Sequence, residues 1–171
     1  MRKLITVVFA CLLALAGCSS DGPSSGGSGD TAGADFNDAD VMFAQMMIPH
    51  HQQAIEMAEL AESKSSNQQV LSLAADIKAA QQPEIETMQG WLAEWGVSSD
   101  DMDMGEMEHG GGMMSDEDMA ALESASGAEA APLFLEQMIA HHQGAIEMAE
   151  TELANGKNAD ALALARSSSR R

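Results

Sequence analysis

Histidine is concentrated in two pairs that lie in nearly identical surroundings. Residues 43–59 read FAQMMIPHHQQAIEMAE and residues 134–150 read FLEQMIAHHQGAIEMAE, which agree at 12 of 17 positions with a constant offset of 91. The pairs themselves are His50–His51 and His141–His142. Burying two imidazoles on one helix is costly unless each finds a partner. A buried pair that occurs twice therefore favours a ligand role over simple packing.

Methionines accompany each histidine pair at helical spacing. Met47 precedes His50 by three residues and His51 by four, so the side chains share a helix face. Thioether and imidazole together favour copper, above all Cu(I), although Cu(II), silver or another transition metal also suits these donors. The predicted ligands in the repeats are His50, His51, His141, His142, Met47, Met57, Met138 and Met148.

Two other interpretations of the repeated motif stay open. Methionine at helical spacing often fills a hydrophobic core without binding anything. The histidines could also form a buried hydrogen-bond network with Gln52 and Gln143.

A second group of methionines lies in an acidic, glycine-rich stretch, MDMGEMEHGGGMMSDEDM, at residues 102–119. Methionines in such a loop have no core to fill, and acidic neighbours raise the local concentration of cations. We expect additional metal ligands here, namely Met102, Met104, Met107, His109, Met113 and Met114. The alternative is a low-complexity linker without a binding role.

The chain begins with a pattern that is typical of exported lipoproteins. Arg2 and Lys3 precede an apolar run of about 13 residues, which is shorter than the ~20 needed to span a bilayer. The run ends in Leu-Ala-Gly-Cys, which resembles a bacterial lipobox with Cys18 as the lipidated residue. We expect residues 1–17 to be a signal peptide and 18–34 a Gly/Ser-rich tether. The protein would then be anchored by lipid to the outer face of the cell membrane, or be periplasmic or attached to the outer membrane if the cell has one.

Hydrophobic periodicity predicts an all-α domain over residues 35–171. It divides into a first helical hairpin (35–97), a Met-rich acidic loop (98–119) and a second hairpin (120–171). Pro49 predicts a kink or a broken turn beside the first histidine pair. By the repeat offset, the fourth helix is shorter than its counterpart, which predicts exposed apolar surface and raises the prospect of a homodimer.

Charge and missing motifs exclude several classes of function. The formal charge is −19, and it becomes −21 without Arg2 and Lys3, so nucleic-acid binding is not expected. Di-iron carboxylate bundles require a glutamate three residues before a histidine, and none of the four repeat histidines has one. Metalloprotease, nucleophile-elbow and phosphate-loop motifs are also absent from the sequence. No catalytic residues or organic cofactor are predicted.

The motif F-x-x-x-M-I-x-H-H-Q-x-A-I-E-M-A occurs twice, and the first copy is followed by Q-P-E-I-x-x-M-x-x-W at residues 82–91. In these features the chain resembles the exported bacterial family called domain of unknown function 305, over about residues 36–168. The resemblance implies a ferritin-like four-helix bundle and a copper-binding or copper-resistance role for the repeat histidines and methionines. Pro49, the Met-rich insert and the short fourth helix depart from the family pattern.

These observations together predict a lipid-anchored, extracytoplasmic copper-binding protein that acts as a chaperone, buffer or resistance factor. Its partners would be the metal ion, the membrane through the lipid alone, and a protein that exchanges copper with it. A ferritin-like metalloenzyme of the oxidoreductase type and a structural module without metal remain the alternatives.

Overall fold

The computed structural model describes residues 35–98 and 111–170, and helices make up most of both ranges. The helices are α1 (Asp38–Lys64), α2 (Gln68–Trp95), α3 (Asp116–Ser124), α4 (Ala130–Asn155) and α5 (Ala159–Ser168). No strand occurs in these two ranges, so the predicted all-α fold is confirmed. Helices α1 and α2 form the first predicted hairpin, and α4 and α5 form the second.

Helix α3 corrects the prediction of a loop that extends to residue 119. Its N-terminus is stabilised by a capping box, in which the Ser115 side chain accepts from the Asp118 N–H and Asp118 accepts from the Ser115 N–H. Leu122 is fully buried, and Met119 packs against the same cluster. Capping and this apolar contact together make the segment helical despite its acidic composition.

Side-chain caps fix the ends of the long helices. Asn37 caps α1 and forms a capping box with Asp40, while Asn67 caps α2 and Asn158 caps α5. Gly96, with φ of 71°, ends α2 in the left-handed conformation that glycine adopts without strain. The predicted broken turn at Pro49 does not occur, because α1 is continuous from Asp38 to Lys64.

Helices α1 and α4 run antiparallel. The Asn37 side chain at the start of α1 donates to the carbonyl of Asn155 at the end of α4, at 2.9 Å. The core consists of two clusters, one with Phe43, Met47, Ala145, Met148 and Ala149 and the other with Ala54, Met57, Ala58, Phe134 and Met138. The offset of 91 carries each of these residues into the opposite cluster. The two repeats are therefore related by a pseudo-twofold axis that passes between α1 and α4.

The symmetry fails on one face of the second repeat. Helix α5 has 10 residues, whereas its counterpart α2 has 28. Ala44 and Ile48 of α1 are buried, but their counterparts Leu135 and Ile139 of α4 are 38% and 61% exposed. Part of the apolar face of α4 is thus accessible to solvent.

Within the described ranges, no helix combines the length and the apolar character that crossing a bilayer requires.

Candidate metal centre

His50 of α1 and His141 of α4 lie face to face where the two repeats meet. Their ring centroids are 3.6 Å apart and the ring planes are inclined by 33°. They are equivalent positions of the repeat, so the pseudo-twofold axis passes between the two rings. Both residues are buried, with 2% and 1% of their surface exposed.

The second histidine of each pair extends this contact outward. The His51 ring lies 6.5 Å from that of His50, and the His142 ring lies 6.3 Å from that of His141, measured between centroids. We call these four imidazoles the histidine row, since centroid distances of 6.3, 3.6 and 6.5 Å link them in the order 142, 141, 50, 51. His51 is buried, whereas His142 is half-buried.

The outer histidines are each oriented by one hydrogen bond. His51 donates through Nε2 to the Glu84 carboxylate of α2 at 2.8 Å, and its Nδ1 is buried without a partner in the described structure. His142 donates through Nδ1 to the carbonyl of Met138 at 2.8 Å. In a neutral ring each bond leaves the opposite nitrogen with a free lone pair. A carboxylate behind a histidine is the usual support for a metal-binding imidazole.

The central rings carry ring nitrogens that make no hydrogen bond of ordinary length in the described chain, although the Gly111 backbone lies close enough to His50 to act on its pKa. His50 has no hydrogen-bond partner at either nitrogen, and His141 has none at Nε2. Leaving a buried polar group unpaired costs about 1–3 kcal/mol. Groups left unpaired at such a cost are often functional, because a bound ligand can satisfy them.

Burial also keeps these two imidazoles uncharged at neutral pH. Desolvation, followed by repulsion from His51, lowers the pKa of His50 to about 4. Desolvation, followed by repulsion from His50, lowers the pKa of His141 to about 2. A neutral imidazole is the form that binds transition metals, so the central pair needs no proton release to accept an ion.

The stacked arrangement is not itself a finished coordination sphere. Among the described residues, no three His, Cys, Asp or Glu side chains converge closely enough to hold a metal ion. An ion between two imidazole nitrogens at about 2 Å from each would separate the ring centres by ~6 Å. The 3.6 Å separation of His50 and His141 is shorter, so both rings must turn before they can coordinate an ion jointly.

The four repeat methionines lie on both sides of the histidine row. Met47 and Met148 belong to one core cluster, and Met57 and Met138 belong to the other. All four are at least nine-tenths buried. They fill the core, as the packing interpretation expects, and they also place thioethers within one or two turns of the histidines.

Residues 111–114 pack against both repeats at one of the five positions where the two copies differ. This position is Gln53 in the first copy and Gly144 in the second. The Gln53 side chain accepts from the Met114 N–H at 2.7 Å and donates to its carbonyl at 2.8 Å. A Cβ at Gly144 would overlap the backbone of Gly111 and Gly112. The segment therefore approaches α4 at a point where only glycine fits.

This seating corrects part of the prediction for the acidic stretch. Met114 packs against the second core cluster, so it does have a core to fill, and Met113 is half-buried. Met102, Met104, Met107 and His109 lie outside the described residues, as does Cys18.

Sequence reasoning missed Glu84 and the glycines at 111, 112 and 144. Glu84 lies 33 residues from His51, so only the packing of α2 on α1 joins them. Gly144 carried a signal in the sequence, because it replaces the Gln53 of the first copy within an otherwise matching run.

Comparison with known proteins identifies the family. The model of DUF305, a domain of unknown function, matches residues 40–170. No curated protein matches the chain. Solved structures similar to this chain include the following three.

The first is a DUF305 protein from Streptomyces coelicolor, described as a candidate secreted protein, with 33% identity over 80% of this chain and 84% of that chain and a TM-score of 0.71. The second is a DUF305 fragment from Deinococcus radiodurans, with 31% identity over 78% of this chain and 87% of that chain and a TM-score of 0.72. The third is CopM in its Cu(I)-bound form, with 32% identity over 77% of this chain and 85% of that chain and a TM-score of 0.61. CopM has also been solved with Cu(II) and with silver.

A doubled histidine motif, a paired-hairpin helical fold and a family match over residues 40–170 agree with one another: the chain belongs to the DUF305 family.

Proposed function

We propose that this protein binds copper outside the cytoplasm and serves as a copper chaperone, buffer or resistance factor. The observation that carries the proposal is the His50–His141 pair, which is buried and neutral and has unpaired ring nitrogens. Imidazole and thioether groups suit Cu(I), and silver resembles it in this respect. The similarity to CopM, solved with copper and silver, supports the same choice of metal.

In this proposal His50 and His141 are the central ligands, and they turn from their stacked positions to coordinate the ion. His51 and His142 offer further lone pairs, while Met47, Met57, Met138 and Met148 supply thioethers from the surrounding core. Methionine avoids the disulfide chemistry that would consume a thiolate ligand in an oxidising compartment.

The acidic methionine-rich stretch has a capture role in the same proposal. Met102, Met104, Met107 and His109 would bind ions weakly at the surface and deliver them to the helices. Met113, which is half-buried, follows these four residues in the chain and directly precedes Met114, which packs against the second core cluster. The net charge of −19 raises the local cation concentration around both sites.

Cellular location follows from the N-terminal pattern. Export fits the similarity to the Streptomyces coelicolor protein. Lipidation at Cys18 would hold the domain near the membrane, where it could exchange copper with a membrane-bound transporter.

Anaerobic titration with Cu(I) against a coloured competing chelator tests the central site. The double variant His50→Leu/His141→Leu should lose about two orders of magnitude in affinity, since two ligands are removed while apolar volume is kept. Met42→Leu, on the exposed face of α1, is the matched control and should bind like the wild type. Equal affinity of the double variant and the wild type would contradict the proposal.

A second titration tests the acidic stretch alone. Replacing Met102, Met104 and Met107 with Leu and His109 with Ala should lower the number of ions bound while preserving the high-affinity site. This variant leaves Met114 and α3 intact, which a longer deletion would not. An unchanged number of bound ions would show that the stretch is a linker.

A further inference from the structure

An open groove runs between α2 and α4 beside the histidine row. It has a volume of about 350 Å³, and its walls are mainly apolar. Its lining includes Leu73 and Ile77 of α2 and Leu135, Met138, Ile139 and His142 of α4. Leu73, Leu135 and Ile139 are three of the four large apolar side chains that are exposed in the described structure.

His142 is the member of the row that reaches this groove. The other three repeat histidines are at most 4% exposed, whereas His142 is half-buried and lines the groove with Met138. Its Nδ1–H is held by the carbonyl of Met138, so in the neutral ring the lone pair lies on Nε2. His142 and Met138, four residues apart on α4, thus both line the groove, and imidazole with thioether is a donor set that selects soft ions.

The equivalent position in the first repeat is closed. His51 is buried and bonded to Glu84, and the neighbouring face of α1 is covered at Ala44 and Ile48. Because the pseudo-twofold symmetry is broken here, His142 is accessible from the groove while its counterpart His51 is buried.

A second approach to the central pair is covered by backbone. Gly111 and Gly112 lie directly on α4 at Gly144, and the Gly111 backbone lies beside His50. A Cβ at Gly112 would likewise overlap the backbone of Ala140 and Gly144, so this segment and α4 are in close backbone contact. The α2/α4 groove, by contrast, is open and reaches His142 without a covering backbone segment among its lining residues.

We propose that this groove is the port through which a soft monovalent ion enters and leaves, with His142 as its first and last ligand. The inference rests on the proposed copper-binding function and adds a route to it. From His142 the ion passes to His141, whose ring is 6.3 Å away, and then to His50. No bond other than those to the metal is made or broken, and the ion keeps its charge.

Blocking the groove tests the port, because a port alters rates without altering equilibrium. In Ile139→Trp a large ring fills the groove, while Met42→Trp places the same ring on an exposed site of α1 outside the groove. The full chain is mixed anaerobically with Cu(I) in stopped flow, and uptake and release are followed by the colour of a competing chelator. We expect Ile139→Trp to slow both processes at least tenfold with an equilibrium affinity within twofold of wild type, and Met42→Trp to match wild type.

His142→Ala is the second variant and does not depend on filling the groove. It should also slow uptake and release, because the first ligand is missing. Wild-type rates in both groove variants would overturn the port, as would a weaker affinity of Ile139→Trp with unchanged uptake. Failure of the wild-type protein to bind Cu(I) at all would instead overturn the proposed function, and the port with it.

Discussion

His50 and His141 occupy equivalent positions of two sequence repeats and stack at 3.6 Å across the pseudo-twofold axis. An internal repeat produces this contact from a single repeated residue, because a residue close to the twofold axis of a paired structure meets its own counterpart. One histidine in the repeated unit therefore yields a two-imidazole centre. The neighbouring His51 and His142 are displaced from the axis, and their surroundings have diverged.

Replacing His50 with leucine should stabilise the protein in the absence of metal. The substitution removes two buried ring nitrogens that make no hydrogen bond of ordinary length and keeps a similar side-chain volume. We expect the free energy of unfolding to rise by about 1–2 kcal/mol in the presence of a chelator. Urea denaturation followed by circular dichroism measures this change. A loss of more than about 1 kcal/mol would show that the imidazole makes stabilising contacts of its own.

The carboxylate of Glu84 should contribute to metal affinity through His51. Glu84→Gln keeps the shape of the side chain but removes the charge that orients the ring and raises its basicity. Changes of this kind weaken metal binding by about 10–100-fold, and competitive Cu(I) titration measures the effect. The matched control is Glu86→Gln, an exposed residue two positions along α2 that bonds to Gln82. Equal affinities for the two variants would place His51 outside the coordination sphere.

The two helical hairpins were accessible from the sequence, because hydrophobic periodicity and the offset of 91 report a repeated helical unit directly. The contact between His50 and His141 became visible only with the pairing of α1 and α4. Helix α3 was accessible in principle, since Ser115 and Asp118 form a recognisable capping box. The acidic and glycine-rich composition of the surrounding stretch instead favoured the prediction of a loop. The burial of Met114 was concealed in the same way, because its partner Gln53 lies 61 residues away.

Other features depend on tertiary packing that one sequence does not specify. The hydrogen bond between His51 and Glu84 depends on the register of α2 against α1. The open groove depends on which face of α4 is left uncovered by the other helices. Of the two outcomes predicted for Pro49, the broken turn does not occur, because α1 accommodates the proline within a continuous helix, and the kink stays a prediction.

Gly144 should be essential for seating residues 111–112 on α4. A Cβ at Gly144 would overlap the backbone of Gly111, so Gly144→Ala must displace that segment. We expect a loss of about 1–3 kcal/mol in unfolding free energy. Gly90→Ala is the control, since Gly90 is helical with open space around it and should gain about 0.5–1 kcal/mol. If both variants gained stability in urea denaturation, residues 111–112 would not pack as described.

Asp40 near the start of α1 and Glu152 near the end of α4 are both buried, and they make stability depend on pH. The Glu152 oxygens make no hydrogen bond of ordinary length in the described structure. Asp40 is buried and accepts hydrogen bonds from the backbone N–H groups of Asn37 at 2.6 Å, Lys157 at 2.9 Å and Asn158 at 2.8 Å. Burial alone raises the pKa of Asp40, but the interaction with Glu152 and these backbone donors outweighs burial and lowers it. Burial, followed by the interaction with Asp40, raises the pKa of Glu152 to about 8. Asp40 is therefore charged and Glu152 neutral near pH 7.

The raised pKa of Glu152 fixes the direction of its effect. The unfolded chain loses this proton near pH 4.5 and the folded chain near pH 8, so the stabilisation is complete below pH 4.5 and is lost as the pH rises through 8. Glu152→Gln keeps an uncharged side chain at every pH and should remove this decline. Glu150→Gln, on the exposed face of α4, should retain it. Urea denaturation at pH 6 and pH 9 measures the difference, and an equal decline in both variants would show that Glu152 is ionised in the folded protein already at pH 6.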